Sequence, residues 1–326
     1  MPDHAAGRPL LEVSGLKKYF STARGLLHAV DGVSFDIEEG RTLGVVGESG
    51  CGKTTAGRTL LRLLEPSGGS VFFEGRDVFS ASPAELRGLR AKMQIIFQDP
   101  YASLNPRMSV ARIIAEPLII HKRVSGGKEL ERRVRGLMDT VELADRLYGA
   151  YPHELDGGRR QRIGVARALA LEPKFVVCDE PVSALDVSVQ AQILNLMQHL
   201  QDRLGLTYMF VTHDMSVVKH ISDDIAVMYL GQLVEKSPSR ALFERQYHPY
   251  TRALISAIPA INVRDRREQI ILKGEIGSPI EPKPGCRFAP RCPFAQERCS
   301  LADPPLREIE PRRFVACVRA EELATN

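Results

Sequence analysis

Gly47-Glu48-Ser49-Gly50-Cys51-Gly52-Lys53-Thr54 lies between an apolar run, Thr42-Leu43-Gly44-Val45-Val46, and a stretch of helical character from Thr54 to Leu64. The octet fits the pattern GxxxxGK[ST]. Glycines let successive backbone N–H groups turn inward around a phosphate. The helix that follows adds the positive end of its dipole. In such a loop Lys53 reaches the β- and γ-phosphates, and the Thr54 hydroxyl ligates magnesium. The bland alternative is a glycine-rich turn with an incidental lysine, and the strand before and helix after weigh against it.

A second stretch supports the same chemistry. Phe175-Val176-Val177-Cys178-Asp179-Glu180 reads as a buried strand ending in two carboxylates. Asp179 at the strand end can hold magnesium through water, and Glu180 can act as general base on an attacking water.

Outward from these stretches, strands alternate with helices. Leu10-Leu11-Glu12-Val13 and Val33-Ser34-Phe35-Asp36-Ile37 alternate as half-buried strands do, and His28-Ala29-Val30-Asp31 reads as a further edge strand. Pro66-Ser67-Gly68-Gly69 reads as a breaker. Residues 111–151 are mostly helical, interrupted at Ser125-Gly126-Gly127. A helix from Val189 ends at Leu204 before Gly205, and Thr207 to Val211 is a strand again. This order predicts an α/β fold with a parallel sheet and a helical insertion.

The 326 residues correspond to about two domains. Lys plus Arg number 44 and Asp plus Glu 40, a net charge of +4, which argues against a dedicated nucleic-acid binder. No apolar run is long enough to span a membrane, and the N-terminus lacks the apolar core of a signal peptide, so a cytoplasmic location is expected. Near residue 259 the composition shifts. Nine prolines fall in the last 68 residues, together with Cys286, Cys292, Cys299 and Cys317. This segment is expected to be a small loop-rich appendage whose fold depends on a metal. Cys51 and Cys178, far from the cluster, are expected to be packing residues.

With these motifs in place, residues 10–255 resemble the nucleotide-binding subunits of ATP-binding cassette transporters. The resemblance implies a P-loop NTPase fold of RecA-like core, antiparallel β subdomain and helical subdomain at about 99–160, within an ATP-binding domain spanning 1–258. It implies ATP contacts through the whole loop from Gly47 to Thr55, including Glu48, Ser49, Gly50, Cys51 and Gly52. Gln98, in Ile95-Ile96-Phe97-Gln98-Asp99-Pro100, resembles the family's Q-loop glutamine, which joins Thr54 and Asp179 around magnesium and senses the membrane partner. Ser183-Ala184-Leu185-Asp186 resembles the D-loop, and His213 resembles the switch histidine that contacts the γ-phosphate. Phe20, or failing that Tyr19, occupies the place of the aromatic that stacks on adenine.

Leu155-Asp156-Gly157-Gly158-Arg159-Arg160-Gln161 stands where the family has its signature, usually Leu-Ser-Gly-Gly-Gln, which meets the nucleotide of the opposite subunit. Asp156 replaces the serine and Arg159 the glutamine. A carboxylate near a triphosphate is unfavourable unless a cation compensates, a role open to Arg159 or Arg160. The departure suggests an asymmetric heterodimer with a second, homologous ATPase.

Gln98-Asp99-Pro100-Tyr101-Ala102-Ser103-Leu104-Asn105-Pro106-Arg107 and His248-Pro249-Tyr250-Thr251 are similar to the oligopeptide, dipeptide and nickel importer subfamily. That similarity implies two permease subunits, an extracytoplasmic substrate-binding protein and a position at the cytoplasmic face of the membrane. It also extends to a cysteine-bearing C-terminal extension, here 259–326. The spacing C-x5-C-x6-C-x17-C lacks the short knuckles of structural zinc, and four thiolates suit a [4Fe–4S] cluster, with zinc or free thiols as alternatives. Soluble cassette ATPases of DNA repair or the ribosome are the competing reading. They carry long coiled-coil insertions or two cassettes, and neither is visible here.

Overall fold

The computed structural model describes residues 9–258, 269–275 and 277–324. The expected domain boundary at 258/259 and the first eight residues lie outside them. Among the described residues the strands are β1 (Leu11–Thr22), β2 (Gly25–Ile37), β3 (Thr42–Val46), β4 (Gly68–Phe73), β5 (Arg76–Asp77), β6 (Met93–Ile96), β7 (Phe175–Asp179), β8 (Thr207–Thr212), β9 (Asp224–Tyr229), β10 (Gln232–Pro238), β11 (Arg307–Glu310) and β12 (Arg313–Val315). The chain divides into two compact units. One comprises 1–37, 42–79 and 210–326, the other 38–41 and 80–209.

In the first unit β1 and β2 form an antiparallel hairpin in which Leu11 faces Ile37 and Val13 faces Phe35, all four buried. The strand expected at 28–31 and the one at 33–37 are a single strand, β2. β4 pairs along the other edge of β1 and β5 closes the order β2-β1-β4-β5. The expected breaker at 66–69 therefore ends inside a strand. The helix expected over 54–64 covers Lys53–Leu60, because Leu61 caps it and Arg62 turns left-handed at φ 49°.

β3 is buried at every residue and pairs in parallel with β9, as central α/β strands do. β10 pairs antiparallel with β9, β12 with β10, and β11 with β12. The C-terminal segment is thus more than a loop-rich appendage, since it extends this sheet by two strands. It also inserts Phe288, 1% exposed, among Tyr229, Tyr250, Val227 and Ile255. Burying one phenylalanine side chain stabilises by about 2–3 kcal/mol.

In the second unit β6 pairs in parallel with β7, Ile96 facing Cys178. The helical region comprises Val110–Ile120, Gly127–Thr140 and Gly157–Leu169, which bury Ile113, Ile114, Val134, Met138 and Ile163. The glycine break expected at 125–127 is where the second of these begins. The helix Val187–Leu204 starts on Asp186 and ends on Gly205, whose φ of 65° is the left-handed stop that glycine permits. Among the described residues no helix is long and apolar enough to cross a membrane.

Candidate functional site

The loop from Gly47 to Gly52 leaves β3 and enters the helix Lys53–Leu60, with Gly52 as N-cap at φ 106°. Two glycines are dictated by close approach: a Cβ on Gly47 would collide with the Met228 carbonyl, and one on Gly52 with the Ala29 carbonyl. The loop is tied to β10's approach by Gly231, whose amide donates to the Cys51 carbonyl at 2.8 Å. Lys53 is buried, and its Nζ donates to the Gly47 and Glu48 carbonyls at 2.8 and 3.0 Å. Backbone amides at the head of a helix beside a held lysine suit a polyphosphate, so this loop fits the nucleotide expected from its sequence. The Cys51 thiol is 4% exposed and its pKa is raised by burial, as fits a packing residue.

Glu48 is held by Tyr250 and by Arg291 of the C-terminal segment. Its amide donates to the Tyr250 hydroxyl at 2.9 Å, and its carboxylate receives both terminal nitrogens of Arg291 at 2.8 and 3.1 Å. Nearby, Arg287 pairs with Asp31, and Asp31 in turn accepts from the Tyr19 hydroxyl and lies 3.0 Å from His28 Nδ1. Tyr19 stacks on His28 with ring centroids 4.1 Å apart. The two adjacent aromatics therefore differ. Tyr19 is engaged at ring and hydroxyl, whereas half-buried Phe20 has the Lys18 ammonium 4.7 Å from its ring centroid. His213 follows β8 in the first unit and is exposed; Asp214 beside it caps the helix Met215–Ile221 through the Ser216 amide.

Asp179 ends β7 in the second unit and is 1% exposed. Glu180, next in the chain, sits at φ 45°, a conformation that costs a non-glycine residue energy and recurs at functional positions. Gln98 Nε2 donates to its Oε2 at 3.0 Å, so two residues 82 apart in sequence are brought together. A carboxylate oriented in this way can take a proton from water.

Asp156 caps the helix Gly157–Leu169, its carboxylate accepting from the Arg159 amide at 2.8 Å and pairing with Arg159 Nη1 at 2.9 Å. Of the two candidate cations the partner is Arg159. Arg160 is buried, bonded to the Pro152 carbonyl and stacked 3.6 Å over the Tyr101 ring. A Cβ on Gly158 would press on Val189, one turn into the helix that Asp186 caps through the Val189 amide at 3.0 Å. The Ser188 hydroxyl and that amide hold the Asp186 carboxyl below its usual pKa.

Cys286, Cys292, Cys299 and Cys317 line one small cavity together with His248, Phe288 and Phe294. Amides donate to two of the sulfurs, Gln296 N–H to Cys299 at 3.5 Å and Arg319 N–H to Cys317 at 3.4 Å. Burial raises the Cys286 thiol to about 11 and raises those of Cys292 and Cys317. The four cysteines thus share one small cavity. Among the described residues, however, no group of three or more His, Cys, Asp or Glu side chains is arranged to hold a metal ion.

Sequence reasoning missed Tyr250 and Arg291, which reach the phosphate loop from afar, and the Arg287–Asp31 pair on the hairpin. The His248-Pro249-Tyr250-Thr251 motif marked Tyr250 as unusual without assigning it a contact.

Comparison with known proteins agrees with this geometry. The ABC transporter family profile matches residues 30–183, and the oligopeptide/dipeptide transporter C-terminal region profile matches 234–299. The chain is 50% identical to the dipeptide transport ATP-binding protein DppF of Haemophilus influenzae, over 95% of this chain and 96% of that one. It is 48% identical to the oligopeptide transport ATP-binding protein AppF of Bacillus subtilis, over 94% and 96%. Among solved structures, the ATP-binding cassette MJ0796 in a dimeric post-hydrolysis state with ADP and Pi superposes with a TM-score of 0.65 at 28% identity, covering 71% of this chain and 99% of that one. The chain belongs to the ATP-binding cassette transporter family, as an ATPase subunit of its oligopeptide/dipeptide transporter branch.

Proposed function

We propose that the chain binds MgATP and hydrolyses it to drive import of dipeptides or oligopeptides through a membrane complex. The observation that carries this reading is the Gly47–Thr54 loop with its buried lysine, together with the Gln98–Glu180 pair at 3.0 Å. The Gly47–Thr55 loop receives the phosphates. Lys53 neutralises β- and γ-phosphate charge, while Thr54, Gln98 and Asp179 hold magnesium, directly or through water. Glu180 accepts the proton of the attacking water, and His213 contacts the γ-phosphate. Catalysis is then positioning plus charge stabilisation. Phe20 stacks on adenine, since Tyr19 is already engaged by His28 and Asp31.

Asp156, Gly157, Gly158 and Arg159, with Asp186, serve the nucleotide of an opposing, homologous ATPase subunit. The pair sits on two permease subunits at the cytoplasmic face of the membrane, fed by an extracytoplasmic substrate-binding protein. Nickel import by the same subfamily is the alternative cargo.

The four C-terminal cysteines, Cys286, Cys292, Cys299 and Cys317, would hold a [4Fe–4S] cluster. Their shared cavity and the amide donors to Cys299 and Cys317 support this. Such a centre would clasp the extension, and its binding would release thiol protons. Purification with the membrane subunits, followed by peptide-dependent ATP hydrolysis in liposomes, tests the reading as a whole. Stimulation by peptide with the binding protein present, and its loss in Lys53→Ala, is the expected result. Robust hydrolysis that no peptide stimulates would contradict it.

A further inference from the structure

Glu48 is an acidic residue inside a loop built for a polyanion, and it is fixed at three points. Its amide donates to Tyr250, its carbonyl accepts from Lys53 at 3.0 Å, and its carboxylate lies in the fork of Arg291. Arg291 is well placed to hold it. Its side chain is 9% exposed, its terminal nitrogen also reaches the Tyr229 hydroxyl at 3.4 Å, and it follows Phe288, which is wedged against Tyr229 and Tyr250 at centroid distances of 5.3 and 5.4 Å. A bidentate, largely buried pair of this kind fixes geometry as well as charge. The carboxylate of Glu48 raises the Arg291 pKa further above its ordinary value.

We propose that Arg291, from the cysteine-bearing extension, is a positioning residue for ATP: it neutralises and orients Glu48 so that the phosphate loop accepts a triphosphate. The inference rests on reading Gly47–Thr54 as the ATP loop and adds a component that lies 243 residues away. Without the guanidinium, the Glu48 charge faces incoming phosphate in a partly desolvated setting, where like charges repel more strongly than in water. Arg287 makes a parallel contact to Asp31, so the extension grips the hairpin that carries Phe20 as well as the loop.

The test is calorimetric titration of MgATP into the purified full-length chain, with thermal melting of each variant as a control for folding. Arg291→Ala is expected to weaken MgATP binding about tenfold, and Arg291→Lys to recover most of that loss. The double variant Arg291→Ala/Glu48→Gln should return to within about twofold of wild type, because the charge needing compensation is gone. In the assembled transporter, Arg291→Ala should raise KM for ATP while kcat at saturation holds. A role in folding alone predicts no recovery in the double variant. That outcome, or wild-type affinity in Arg291→Ala, overturns the proposal. Lys53→Ala separates it from the reading beneath it. If Lys53→Ala keeps wild-type affinity, the loop itself is misassigned. If it loses binding while Arg291→Ala does not, only the role of Arg291 fails.

Discussion

Asp156 spends its carboxylate on its own helix, accepting the Arg159 amide and pairing with the Arg159 guanidinium. Aspartate is as good an N-cap as serine, so the substitution leaves the helix start intact and changes its charge. In the proposed subunit pair an opposing triphosphate would meet that charge, with Arg159 as the compensating cation. Asp156→Ser should therefore raise the ATPase rate of the assembled complex about threefold. An unchanged rate would show that Arg159 compensates fully, and the asymmetry between the two subunits would have no basis in this residue.

His248 makes a different prediction. It is buried and its pKa is lowered by burial to about 3, while its Nδ1 accepts from the Tyr250 amide at 3.1 Å. The unfolded chain binds this proton near pH 6.5 and the folded chain does not. Stability is therefore complete above about pH 6.5 and falls, by up to about 1.4 kcal/mol per pH unit, on acidification toward pH 3. Glu235, whose pKa is raised by burial, titrates with the opposite sign, so a comparison at constant Glu235 isolates the histidine. Denaturant unfolding between pH 7 and 5 should show a shallower pH slope in His248→Gln than in wild type. Equal slopes would mean that His248 is protonated in the fold.

At the scale of elements, the C-terminal segment carries the sharpest prediction. Two of its strands extend the sheet beyond β10, and its four cysteines face one cavity. Protein purified without oxygen should contain about four irons and four sulfides per chain, with broad visible absorption, and Cys292→Ser should lose them. Stoichiometric zinc, or no metal, would remove the cluster while leaving the ATPase unaffected.

What could be read from the sequence follows from chemistry with few solutions. The loop after β3, the acidic end of β7 and the stop at Gly205 each require particular residue types at fixed spacing, and all were legible. β9 to β12 were not. β9 pairs with β3 and β12 with β10, neighbours distant in sequence, and β12 is only three residues long. The role of Glu48 was equally hidden, because nothing local to it signals a guanidinium 243 residues on. The sequence put Phe20 ahead of Tyr19 for the aromatic role, but the engagement of Tyr19 by His28 and Asp31 was not legible in it.

For the molecule as a whole, this ATPase subunit has a phosphate loop braced by its own C-terminal extension, and Glu180 is the proposed acceptor of the attacking water's proton. The most direct measurement uses the reconstituted transporter with radiolabelled ATP, comparing wild type with Glu180→Gln, which keeps size and polarity and removes the proton acceptor. Glu180→Gln is expected to retain bound nucleotide as ATP through gel filtration, with turnover reduced at least about a hundredfold. Rapid release as ADP at near wild-type rates would contradict it.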